Sequence, residues 1–140
     1  MKSNIETIKE LYQDFSKGDT NAIKEKFAPD IEWIQMKGFP NGGHHIGFDA
    51  ILKNVFQNFG ENWTSWAATI DEYVDAGESV FAIGQYKGSY GNTGKSMTAD
   101  FAHRYVLKNG KITKFTQYTD TKLVRSEEHT SELQSRTKIS

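Results

Sequence analysis

The chain has 140 residues, the size of one domain with a single core, and its 17 Lys+Arg against 18 Asp+Glu leave a formal net charge of -1. That balance offers no basic excess to neutralise a phosphate backbone, so nucleic acid is not an expected partner. The absence of cysteine excludes disulfides, thiol nucleophiles and Cys-based zinc sites together, and the absence of any apolar run near ~20 residues leaves a cytoplasmic location, with no membrane partner, as the default.

Ser3 and Glu6 form a capping-box pattern, and Ile5, Ile8, Leu11, Tyr12 and Phe15 recur at helical spacing up to a stop at Gly18, which predicts an amphipathic helix. Asp19 or Thr20 caps a second, shorter helix with Ile23 and Phe27 inward; Pro29 ends it, because the residue before a proline is pushed out of the α region. Residues 31–36 read as a strand. Residues 38–47 hold four glycines and a proline around His44 and His45, turn chemistry that predicts an irregular flap. Phe48, Leu52, Val55, Phe56 and Phe59 then mark a third helix ending at Gly60.

Beyond Gly60 the period changes from helical to alternating. Strands are predicted over 63–74, 79–90, 96–107 and 111–119, joined by Gly- and Asn-containing breaks that suit hairpins. Helices first and strands afterwards is the pattern of an α+β domain with helices on one face of a sheet. Residues 1–124 make up the expected domain. The string RSEEHTSELQS at 125–135 resembles a frame translation of a sequencing-adapter oligonucleotide, so 125–140 is read as a non-native tail and His129 enters no site.

Alternation decides which side chains meet. With the apolar members of each strand inward, Trp33 and Gln35, Gly84 and Tyr86, Phe101, His103 and Tyr105, and Phe115 and Gln117 share an interior, with Tyr12 and Phe15 of the first helix closing its wall. This is an aromatic cup with few polar groups, suited to a hydrophobic small molecule. His103 is the first candidate for chemistry, since desolvation among rings lowers its pKa and leaves a neutral imidazole able to accept or relay a proton. Tyr86 or Tyr12 would donate to a developing enolate. Against this stands the reading of His103 as a core residue satisfied by a carbonyl or a tyrosine. His44 and His45 diverge in direction and have no third ligand at useful spacing, so no metal is expected.

Several strings sharpen the picture: Ala28-Pro29-Asp30-Ile31-Glu32-Trp33, Gly38-Phe39-Pro40 with Gly42-Gly43, Ala102-His103-Arg104-Tyr105, Asn109-Gly110-Lys111-Ile112 and Gln117-Tyr118-Thr119-Asp120-Thr121. They resemble SnoaL-like, ketosteroid-isomerase-related proteins of the nuclear-transport-factor-2-like superfamily, and the likeness runs over residues 5–124. It implies a cone: three N-terminal helices packed on a curved, mostly antiparallel sheet, often paired sheet to sheet as a homodimer. It further implies isomerase, cyclase or dehydratase chemistry without a cofactor, although the fold also hosts non-catalytic ligand-binding and dimerisation domains.

Carried over by residue, the ketosteroid isomerase base falls at Gln35, and the limonene epoxide hydrolase acids and arginine fall at Gly84, Tyr86 and Gln117. The acid/base aspartate of SnoaL-type polyketide cyclases falls near Gln117, with Asp120 brought closer if a bulge intervenes. Amides at Gln35 and Gln117 and a phenol at Tyr86 thus stand where carboxylates are implied. The candidate catalytic residues that remain are His103, Tyr86 and Asp120, with Tyr12, Phe15, Trp33, Gln35, Phe101, Tyr105, Phe115 and Gln117 as the binding wall.

Overall fold

A computed structural model describes residues 2–39, 42–57, 63–90 and 96–120, with backbone alone for 63–66 and 90. The predicted hairpin at 91–94, the end of the third helix at 58–60, the side chains of Trp63 and Trp66, and the adapter-like tail lie outside the described residues.

The first helix, α1 (Asn4–Lys17), begins where its capping box places it: the Ser3 hydroxyl accepts the Glu6 N–H at 3.2 Å. It ends on Gly18 at φ 68, the left-handed conformation that lets the cap N–H groups reach the last carbonyls without a Cβ penalty. Asp19 caps α2 (Thr20–Lys26) by accepting the Ala22 N–H at 3.1 Å. A half-buried Lys26–Asp14 ion pair at 2.5 Å ties the two helices together.

The second helix stops earlier than the sequence pattern suggests. Phe27 opens β1 (Phe27–Gln35), and Pro29 lies inside that strand, at a register shift between Phe27 and Glu32 where the ladder skips its missing N–H. The glycine stretch also holds more order than turn chemistry implies, since β2 (Gly43–Ile46) pairs antiparallel with β1. His44 reaches across that pair to Glu32 at 2.9 Å. The third helix is a short α3 (Phe48–Ile51) running directly into a π-helix over Leu52–Phe56.

Four long strands follow: β3 (Trp63–Ala76), β4 (Ser79–Tyr90), β5 (Ser96–Lys108) and β6 (Lys111–Thr119). The β5–β6 turn carries Asn109 and Gly110 at φ 53 and 77, the two positive angles a tight two-residue hairpin requires. The sheet order is β2-β1-β6-β5-β4-β3, antiparallel throughout except for the parallel pair β1–β6.

This corrects the expected cone. The sheet is mixed and open, with β2 and β3 as its two edges and no ladder joining them among the described residues. Enclosure comes from the helices, which lay Ile8 and Leu11 of α1, Ile23 of α2, Ile51 and Val55 onto Ile31, Val80, Tyr105, Leu107 and Ile112 of the sheet. Burial of that contiguous apolar area is the main force holding the layers together. No helix among the described residues is long and apolar enough to cross a membrane.

Candidate functional site

Strict alternation along β5 turns Met97, Ala99, Phe101, His103, Tyr105 and Leu107 to the helix side. The ladders then align partners across strands: His103 lies opposite Ala82 on β4 and Gln117 on β6, and Tyr105 lies opposite Phe115. Between this face, α1, α2 and the π-helix is a cavity of about 780 Å³.

Its apolar wall is a set of rings. Trp33 stacks on Phe115 with centroids 3.8 Å apart, and Phe15 meets Phe56 edge-on at 5.4 Å. Its polar wall is a continuous chain of hydrogen bonds. The Met36 N–H donates to Gln117 Oε1 at 3.2 Å, which turns the Gln117 amide nitrogen toward Tyr86, where it donates to the hydroxyl at 2.8 Å. The Tyr86 hydroxyl bonds His103 Nε2, the Tyr12 hydroxyl bonds His103 Nδ1 at 2.6 Å, and the Tyr105 hydroxyl donates to that of Tyr12 at 2.8 Å.

Burial lowers the His103 pKa to about 3, so the ring is neutral at physiological pH. The same desolvation raises the phenols of Tyr12, Tyr86 and Tyr105 above their ordinary range, so they remain protonated donors. A neutral imidazole carries one N–H, so one of Tyr12 and Tyr86 donates to it and the other accepts from it. Gln117 fills the first link of the relay and Tyr105 the last. The two central links then use two of the three protons held by Tyr86, His103 and Tyr12. The third proton leaves the relay, at Tyr86 in one tautomer and at Tyr12 in the other. Both residues line the cavity.

Of the sequence-predicted residues, Tyr12, Phe15, Trp33, Gln35, Tyr86, His103, Tyr105, Phe115 and Gln117 all line this one space. Gln35 accepts the Trp33 indole N–H at 3.1 Å. Phe101 is one layer behind: its ring stacks under His103 at 4.0 Å and packs with Phe39, Tyr86 and Met97. Asp120 is exposed just past the end of β6 and is not on the cavity wall.

Sequence reasoning missed the contribution of Leu52, Phe56 and Gln57 from the π-helix segment, of Phe39 from the glycine stretch, and of Ala67 and Ala68 from β3. The apolar spacing of Leu52 and Phe56 marked them as core. Nothing in that spacing distinguishes a π turn from an α turn.

A family model for the SnoaL-like domain matches residues 8–115. Among solved structures, an NTF2-like protein from Burkholderia thailandensis E264 is 36% identical, with a TM-score of 0.89, covering 93% of this chain and 100% of that one. An NTF2-like protein of unknown function from Burkholderia pseudomallei K96243 is 25% identical with a TM-score of 0.83, covering 91% and 98% of the two chains. TerC, co-crystallised with polyporic acid, is 25% identical with a TM-score of 0.80, covering 89% and 96%. No curated protein matches the chain. These comparisons lend no support to the adapter likeness of residues 125–135. The match over residues 8–115, together with the 36% identity over nearly the whole chain, places this protein in the SnoaL-like domain family.

Proposed function

We propose that the chain binds a largely apolar small molecule in the cavity and moves protons on it through the tyrosine–imidazole relay, as a cofactor-independent isomerase, cyclase or dehydratase. The observation that carries this reading is the placement of a tyrosine hydroxyl on each nitrogen of one neutral imidazole, with both tyrosines lining the cavity.

Such a relay works at both ends at once. A substrate carbon gives its proton to the Tyr12 oxygen while Tyr12 passes its own to Nδ1. The Nε2 proton moves to Tyr86, and the Tyr86 proton moves to the substrate oxygen. One proton enters, one leaves, and the relay is left in its other tautomer. The imidazole never bears charge, which suits a pKa held near 3 by burial. The two hydroxyls stand on opposite sides of the ring, so the substrate atoms that exchange protons are several bonds apart, as the γ-carbon and oxygen of a conjugated enone are.

Deuterium incorporation from solvent at the γ-position of isophorone, followed by NMR, tests this. Wild type is expected to accelerate exchange, and Tyr12→Phe or Tyr86→Phe to lower the rate at least ~tenfold, within the range usual for loss of an acid/base partner. Isophorone that raises the melting temperature yet exchanges no faster than in buffer would refute the catalytic reading.

A second reading, a binding module without turnover, is favoured by a specific observation. Among the described residues no carboxylate lines the cavity, and the only imidazole there has both nitrogens engaged. The likeness to TerC, co-crystallised with polyporic acid, supports an organic ligand under either reading.

Assembly as a homodimer through the outer sheet face belongs to the same proposal. Ile83, Ala102 and Tyr118 are cross-strand neighbours there, and Ile83 and Tyr118 are 37% and 49% exposed.

A further inference from the structure

On the outside of α1, facing β3, lies a groove of about 370 Å³. Tyr12, Ser16 and Ala68 belong to the walls of both this groove and the cavity, so the two spaces meet at one stretch of helix. Lys9, Gln13, Ile70 and Tyr73 line the groove and not the cavity. Residues 9, 12, 13 and 16 follow helical spacing, which sets Lys9 about one turn, ~5 Å, along the axis from Tyr12.

Among the described residues, Lys9 is the one lysine, arginine, aspartate or glutamate on the wall of either space. Its ammonium lies 5.4 Å from the centroid of the Tyr73 ring, a position that keeps the charge at the groove without a carboxylate. The three acids of α1 are engaged elsewhere: Glu6 accepts from the Ser3 hydroxyl at 3.2 Å, and Glu10 and Asp14 pair with Lys2 and Lys26 at 2.5 Å each. The polarity therefore runs in one direction, from an uncharged, ring-lined interior to a single cation at its outer margin. A charged group on a ligand would meet no counter-charge inside and a large desolvation cost there, whereas the groove offers water and an ammonium together.

Resting on the reading of the cavity as a small-molecule site, we infer that the groove is the outer subsite for the same ligand, which is an amphiphile. Its flat apolar body lies in the cavity against the relay, and a carboxylate or similar anionic group on a short arm sits at Lys9 beside Tyr73. The contact is solvent-exposed, so it selects among ligands by a few-fold and yields to salt.

The test compares 1-pyrenebutyrate with 1-pyrenebutanol, which share ring and arm and differ in charge, by fluorescence titration of the full chain. The carboxylate is expected to bind about three- to fivefold more tightly at low salt, the range of an exposed ion pair. That preference is expected to shrink in 0.5 M NaCl, vanish in Lys9→Gln, return in Lys9→Arg and reverse in Lys9→Glu. The alcohol serves as the reference within each variant. Equal binding of the two probes to wild type, or a preference that survives in Lys9→Gln, overturns the outer subsite and leaves the cavity reading standing. Failure of both probes to bind overturns the cavity reading and the subsite with it.

Discussion

Acidification is expected to destabilise the folded chain chiefly through His103. The folded state holds this ring at a pKa of about 3, against 6.5 for an unperturbed histidine. Between those values the unfolded chain binds a proton that the folded chain refuses, so stability is full above 6.5 and falls as the pH drops toward 3. At about 1.4 kcal/mol per unit once the unfolded histidine is protonated, lowering the pH from about 7.5 to 5 removes roughly 2 kcal/mol. For a chain of this size that is roughly 6–8 °C in melting temperature. Scanning calorimetry of wild type and His103→Gln across this range isolates the effect, because His44 and His45 are common to both. The variant keeps a donor and an acceptor between Tyr12 and Tyr86 but does not titrate, so its curve should be flatter by that amount. Parallel curves for the two proteins, or a His103 imidazole seen by NMR to protonate near pH 6, would refute the burial argument.

Gly84→Ala is expected to cost about 3 kcal/mol or more by chemical denaturation. An added Cβ would stand 1.9 Å from the Thr69 carbonyl oxygen and 2.9 Å from Ile70 Cα, both backbone atoms, at the register shift between Ile70 and Glu72. Gln117→Glu, once ionised, should accept from both the Met36 N–H and the Tyr86 hydroxyl, so that every relay proton is used internally. Affinity for a carbonyl ligand such as fluorenone should then fall about tenfold, by calorimetry, while fluorene is unaffected. Ile83→Lys with Tyr118→Lys is expected to reduce the light-scattering mass to that of a monomer; a wild-type monomer at micromolar concentration would count against the sheet-face dimer.

Much of the site was legible because alternation is a short-range code. Trp33 with Gln35, His103 with Tyr105, and Phe115 with Gln117 sit two residues apart on their strands, and a strand's pleat sends such pairs to one side whatever the sheet does globally. Closure of the sheet carries no such code. Whether β2 and β3 approach depends on twist summed over six strands and on what the helices cover, so the cone failed where the facing succeeded. The same limit explains β1 and β2. Pro29 signals a helix stop, yet its missing N–H falls at a register shift, and His44 and His45 join the sheet through backbone bonds that side-chain patterning does not announce. Tyr12 and His103 are 91 residues apart, and their hydrogen bond exists only because α1, packed over β3 and β4, brings the Tyr12 side chain to His103 on β5.

The amides at Gln35 and Gln117 looked from sequence like lost catalytic acids, and the geometry gives them another sense. A carboxylate at Gln117 would be almost fully buried, facing Tyr86 with no cation on the cavity wall among the described residues, and an uncompensated buried charge costs several kcal/mol. The amide meets the same geometric demand at neutral charge: its oxygen takes the Met36 N–H and its nitrogen gives to Tyr86. That choice has a consequence a carboxylate would not allow. Because Gln117 contributes a proton to the chain of bonds, the relay holds one more proton than its links consume, and the surplus emerges at Tyr86 or Tyr12. An uncharged wall can thus still hold donors, and the neutrality that seemed to weaken a catalytic assignment is compatible with the proposed relay.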